Sequence, residues 1–347
     1  GMALNSRMVR PVSADKDLTE LCQNAASHED SITKLCASPD GRYLVTRDYE
    51  KQIKCWDFEN YSLLGARKAD LGSPSMVGMF RDEQCLIYVE NKMIYAKKLP
   101  GLKDTVGINV SLEWIGSDSV YNMLPGRNGD IYLILYNQPG SGKKSYKVAK
   151  IEKGSGTSLY TNSKTLFTSS EKIGSPALFD NESKMLCYSD SNKVRIIDLE
   201  SGSSFDPDIP AMNALSEFAI LPGDIAALYV IDSDSHYGLF SLIDGHMLWE
   251  QEIPGVVVCN AAVTPDGSMG LLLAKADNET LWLISMADGS VIRKFDTGST
   301  WSNCEYIAVS NDGSKCAIAC GKSILFFSLP DLTLIGCPVD LDIMKDC

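Results

Sequence analysis

A turn signature returns at near-constant spacing along this chain. It falls between strand-like apolar runs at Asp40, Asp82, Asn128, Asn181, Gly223, Asp266 and Asp312, with gaps of 42, 46, 53, 42, 43 and 46 residues. Such self-similarity overrides any domain count taken from length, because each repeat is one unit that cannot bury its apolar face alone. Four short strands and four turns need about 40–45 residues. The long third gap has a local cause, the extended Gly-rich hairpin Gln138–Ser145 (QPGSGKKS).

Residues 28–58 show one unit in full. Ile32–Ser38 reads as a strand, and Pro39-Asp40-Gly41 as a turn. Proline presets φ, aspartate bonds back to the backbone, and glycine takes positive φ. Tyr43–Thr46 and Ile53–Phe58 follow as second and third strands around a polar turn, and Ser62–Ala69 supplies a fourth. No amphipathic helix pattern interrupts the series, which argues against a parallel α/β sheet; Leu18–Ala26 is the one helix candidate, with a strand as its alternative. The expected fold is all-β, a seven-bladed β-propeller of four-stranded antiparallel blades. Blades are expected to begin near residues 28, 74, 118, 173, 214, 256 and 302. Residues 1–16 read as a tag remnant (Gly1 before Met2) and N-terminal extension, 17–342 as the propeller and 343–347 as a tail. Either residues 17–24 or residues 332–340 can supply the outer strand that completes the ring.

Composition narrows function by exclusion. A net charge of −13 and no Lys/Arg run longer than two are the opposite of the basic stripe that nucleic acid needs. An acidic balance serves solubility and suits a basic partner. No run of about 18 apolar residues is present to span a membrane, and residues 2–17 lack a signal-peptide core. The 11 cysteines show no paired C-x₂-C spacing for zinc, so they read as buried apolar thiols of a reducing, cytoplasmic compartment. The sequons at Asn60, Asn109, Asn181 and Asn278 then carry no meaning.

Residues 28–57 resemble the WD-repeat family. They place His28, Ser38-Pro39-Asp40-Gly41, Thr46, Glu50 and Trp56-Asp57 in the family's order. Thr264-Pro265-Asp266-Gly267 and Ser310-Asn311-Asp312-Gly313 repeat the turn in blades six and seven, and the other four blades match in period and strand pattern alone. The resemblance implies a hydrogen-bonded structural network of His28, Thr46 and Trp56, with Glu50 at the Asp position. It also implies that one face, formed by the loops that leave outer strands and by second-to-third-strand turns, docks partners. Diverged propellers of this kind serve as regulatory modules of larger proteins, for example NACHT-type or apoptosome-like ATPases.

No catalytic constellation emerges. His28 reads as structural rather than as a catalytic base. His236 and His246 are scattered from it, which disfavours a histidine metal site. Gly140-Ser141-Gly142-Lys143-Lys144-Ser145 departs from a phosphate loop because Lys144 stands where Ser/Thr belongs and strands flank it; it reads as an exposed hairpin tip. Asp232-Ser233-Asp234-Ser235 lacks the glycine and distal glutamate of a calcium loop. Loop residues of the docking face are more informative: Trp301, Tyr49, Trp114, Asn91, Ser191, His236 and Asn278. Exposed Trp and Tyr anchor interfaces. The expectation is therefore a non-catalytic, cytoplasmic interaction scaffold or sensor without a cofactor, either a monomeric domain or a module of a larger protein. It would bind a protein or peptide and neither nucleic acid nor membrane. The alternative is a propeller enzyme with a central-channel metal or cofactor, held by Asp48, Asp190 and Asp232.

Overall fold

The structure is a computed structural model. It describes residues 8–9, 27–68, 75–80, 83–104, 110–126, 128–140, 142–154, 162–191, 193–207, 209, 215–231, 236–275, 279–298 and 304–338. Leu18–Ala26 and residues 17–24 lie outside them. Strands form seven antiparallel sheets. Blade one runs Ile32–Ala37, Tyr43–Asp48, Gln52–Asp57 and Leu63–Lys68 from the axis outward. The innermost strands of blades two to seven are Ser75–Phe80, Ser119–Pro125, Gly174–Phe179, Leu215–Ile220, Val257–Val263 and Cys304–Val309. Each contacts the next, and Cys304–Val309 returns to Ile32–Ala37, so the circuit closes as a seven-bladed β-propeller. No helix among the described residues is long and apolar enough to cross a membrane.

Packing follows from position in the blade. Second strands face a neighbouring blade on both sides, so their middle residues are buried on both faces rather than alternating: all five residues of Ile131–Leu135 are buried. Outer strands alternate, as in Met247–Glu252. Seven apolar clusters fill the seven spaces between adjacent blades. Blades one and seven meet through Phe326, which is fully buried against Phe58 and Tyr61 at ring-centre distances of 5.7 and 4.6 Å.

Blade seven takes its outer strand from Thr333–Pro338, and Met8–Val9 adds a fifth strand beyond it. Residues 27–32 latch the two ends of the circuit. The Ser27 and His28 amides both donate to the Lys322 carbonyl at 3.0 Å, and Ile32 N–H donates to Gly321 at 2.7 Å.

The turn chemistry recurs residue by residue. Asp40, Asp266 and Asp312 each accept from a hydroxyl two residues before, Ser38 at 2.7 Å and Thr264 and Ser310 at 2.6 Å. Each also accepts the amide two residues later, at 3.0–3.1 Å. The intervening Gly41, Gly267 and Gly313 have φ near +70° (67°, 71° and 69°). A β-carbon on Gly41 would lie 2.3 Å from Asn311 Cβ and 2.6 Å from Asn311 N, on blade seven. Gly223 has φ +85° but open space around it. Gly41→Ala is therefore expected to lower the urea midpoint more than Gly223→Ala. Both carry the left-handed backbone penalty of about 1–2 kcal/mol, and only Gly41 adds overpacking of about 1–3 kcal/mol. Equal midpoints would refute the steric argument.

One cysteine expectation is corrected. Cys304 and Cys320, cross-strand partners in blade seven, form a disulfide. The register of the two strands places them face to face, which spacing along the chain did not reveal. Burial pushes the Cys55, Cys85 and Cys187 thiols up to about 12, so these remain protonated and pack as small apolar groups.

Candidate functional site: the channel mouth

The polar network of blade one lies beneath the face on which the candidate site opens. Trp56 Nε1–H donates to Thr46 Oγ1 at 2.9 Å, Thr46 Oγ1 lies 2.7 Å from His28 Nε2, and His28 Nδ1 lies 2.9 Å from Asp48 Oδ2. An indole N–H can only donate and an ionised carboxylate can only accept. The chain of donors therefore runs from Trp56 through Thr46 and His28 to Asp48. Burial opposes the Asp48 charge, but the bonds from His28 and the Gln52 amide, with Lys54 nearby, outweigh it and hold its pKa below the ordinary value. Lys54, fully buried, donates to the Ser27 carbonyl at 2.6 Å.

The acidic member is thus Asp48 rather than Glu50. Glu50 is exposed and pairs with Lys68 at 3.2 Å. Strand geometry gives the reason: Thr46 and Asp48 are two residues apart on one strand and share a face, whereas Glu50 lies past the strand in the turn. That periodicity was a usable signal. Asp48 is consequently committed to the network and is not free to hold a channel metal. Asp190 accepts the Lys172 amide at 3.3 Å, and Asp232 lies outside the described residues.

The candidate docking residues that the structure describes lie in turns or at the start of a strand on one face. Tyr49 is 71% exposed in the turn between the second and third strands of blade one. Trp114 is 41% exposed on the single-turn 3₁₀ helix Glu113–Ile115, which leads into blade three. Asn91 and Ser191 are exposed in equivalent turns, and His236 is half-buried at the start of its strand. Trp301 and Asn278 lie outside the described residues.

On that face the channel opens into a cavity of about 460 Å³. Blade one supplies Thr33, Lys34 and Arg47, and blade two Ser75. Blade three supplies Tyr121 and Asn122, and blade four Ser175 and Tyr188. None of these was singled out from sequence. Their orientation has a local cause. Six inner strands carry a register break near their first residues, spanning Thr33, Tyr121, Ser175, Ser216, Cys259 and Glu305. A β-bulge leaves a residue unpaired and re-aims it; in blade three that residue is Tyr121, 44% exposed.

The cavity is cationic on the side of blades one to four. Lys34 Nζ donates to the Ser75 carbonyl across the blade boundary. Lys172 Nζ lies 3.5 Å from Tyr188 Oη and 5.1 Å from the centre of that ring. Burial works against the Lys172 charge, yet the Tyr188 and Tyr121 hydroxyls hold its pKa above the ordinary value. Lys34, Arg47 and Lys172 are half-buried and have no carboxylate side-chain partner among the described residues. Of the acids nearby, Asp118 is paired with Lys147 at 2.7 Å and Glu171 with Arg195 at 2.8 Å, while the Asp190 carboxylate accepts the Lys172 amide. These cations give the mouth a local charge opposite in sign to the net charge of the whole chain. No group of three or more His, Cys, Asp or Glu among the described residues is placed to hold a metal.

The fold is similar to several solved structures. The Cps50 (Swd1) β-propeller domain of Myceliophteria thermophila aligns with TM-score 0.63 at 10% identity, over 91% of this chain and 99% of that one. The C-terminal WD40 domain of Sif2 aligns with TM-score 0.54 at 16% identity, over 87% and 82%. Dihydro-heme d1 dehydrogenase NirN, solved in complex with DHE, aligns with TM-score 0.61 at 12% identity, over 89% and 67%. No family model and no curated protein sequence matches the chain.

Proposed function

We propose that this protein is a non-catalytic, WD-type interaction propeller that docks a protein or peptide on the channel-mouth face, as one module of a larger regulatory chain. The observation that carries the reading is the coincidence of a cavity of about 460 Å³ with exposed Tyr49, Trp114 and Tyr121. Pockets of roughly 300–1,000 Å³ bind ligands, and Tyr and Trp at such a rim are the side chains that dominate binding energy. The fold is shared with Sif2 and with NirN, so it does not choose between scaffold and enzyme; the rim aromatics favour the scaffold.

Tyr49→Ala combined with Trp114→Ala is expected to weaken partner capture at least tenfold, since hot-spot truncations cost about 2 kcal/mol or more. Ile243→Ala, at a 76% exposed residue in the turn between third and fourth strands on the opposite face, is expected to leave capture intact. Quantitative affinity capture with the three proteins checks this. Undiminished capture by the rim variant overturns the reading.

A further inference from the structure

We infer that the channel mouth between blades one and four is a receptor for an acidic peptide segment, whose carboxylate or phosphorylated side chain is bound by Arg47, Lys34 and Lys172. This rests on the reading that the mouth face docks a partner, and it names that partner's chemistry. The first support is electrostatic. A half-buried cation loses hydration, and that loss is ordinarily offset by an acidic neighbour. Lys147 and Arg195 have such neighbours, at 2.7 and 2.8 Å. Lys34, Arg47 and Lys172 form no ion pair with a carboxylate among the described residues, and Asp190 is bonded to the Lys172 amide rather than to its ammonium group, although the chain carries 45 Asp and Glu against 32 Lys and Arg. In a protein of net charge −13, an anion meets repulsion over most of the surface and attraction at this mouth.

The second support is geometric. The planar guanidinium of Arg47 suits bidentate capture of a carboxylate or phosphate. Lys172 is held against the Tyr188 ring and Lys34 against the Ser75 carbonyl, so both ammonium groups are positioned beforehand, which lowers the ordering cost of binding. Asn122 and Ser175 add polar side chains around the same cavity. The third support concerns size. A small free anion would use the cations alone. Tyr49, 71% exposed in a neighbouring turn and outside the cavity lining, offers contacts only to flanking residues of a chain. Beside blade one, blade seven places exposed Glu305 at its register break, so the cationic wall meets an acidic neighbour at that edge, which biases the direction in which a peptide lies.

The test uses the purified chain and degenerate 12-residue peptide libraries whose central residue is fixed as Asp, Glu, phosphoserine, Lys or Ala. Affinity selection followed by fluorescence titration of the enriched pools reads the outcome. Enrichment of acidic-centred pools at least tenfold over the Lys-centred pool is expected, with affinity falling as salt rises. The Asp/Glu and phosphoserine arms separate the two sources of the anion. Arg47→Glu with Lys172→Glu is expected to abolish the enrichment, Arg47→Lys to retain part of it, and Arg42→Glu on the opposite face to leave it unchanged. Arg47→Gln, checked by its melting curve, replaces the double variant if that does not fold. Three results overturn the inference: Lys- or Ala-centred pools enriched equally or more, acidic enrichment that survives the Arg47 variants, or inorganic phosphate binding at the mouth with no peptide pool enriched. If those occur while Tyr49→Ala with Trp114→Ala still abolishes partner capture, the docking function stands and only the ligand chemistry fails.

Discussion

Phe326→Ala is expected to cost about 3–5 kcal/mol of stability, the range for truncating a buried phenylalanine. Phe326 is fully buried where blade seven meets blade one, and it touches Phe58 and Tyr61 from the other end of the chain. A void there cannot collapse easily, because the interface is also fixed by the Ser27, His28 and Ile32 amides bonded to Lys322 and Gly321. The loss should be local before it is global. Hydrogen exchange should accelerate first at residues 27–32 and 321–327, the two sides of the closure. A double-mutant cycle with Phe58→Ala should return a coupling of about 0.5–1.5 kcal/mol. A midpoint change of under about 1 kcal/mol with Phe326→Ala would mean that the ring does not depend on this contact.

Asp48→Ala is expected to cost about 3–5 kcal/mol, since hydrogen bonds to a charged group contribute about 1.5–3 kcal/mol each and two are lost. It leaves His28 Nδ1 and the Gln52 amide without their acceptor, and it leaves Lys54 buried beside them without the Asp48 charge. Glu50→Ala, which removes an exposed ion pair, should cost less than about 1 kcal/mol. The pair of variants separates the two carboxylates directly. Asp48 also sets a pH dependence. Its folded pKa is depressed, so its contribution is complete above the unfolded value of about 3.9 and is lost as pH falls through the folded value. The wild type should therefore lose stability on acidification below about pH 4 more steeply than Asp48→Asn. Parallel acid limbs, measured by urea unfolding at each pH, would show that Asp48 is not the titrating group.

Fold and site were legible to different degrees. The turn at Ser38-Pro39-Asp40-Gly41 is written locally, because its hydroxyl, carboxylate and positive-φ glycine are neighbours in sequence, and its copies at 264–267 and 310–313 set the period. The structural network was half legible. His28, Thr46 and Trp56 stand in the order of the family pattern, while the acidic position was assigned by that order to Glu50 and is held by Asp48 through strand periodicity. The rim residues Tyr49 and Trp114 were visible as aromatics in loops. The cations were not, since Lys34, Arg47 and Lys172 look like ordinary charges on strands and turns.

The sequence by itself determined the number of blades, their four-stranded make-up and the chemistry of their best turns, because those depend on residues within a few positions of one another. The tertiary structure alone decided where the ring closes and what its mouth presents. Closure depends on Phe326 meeting Phe58. The cationic cavity depends on register breaks in the inner strands and on the convergence of side chains from four blades, spread from residue 33 to residue 188. Convergence of that kind leaves no periodic trace along the chain, since each blade contributes only one to three residues and each of those obeys its own strand.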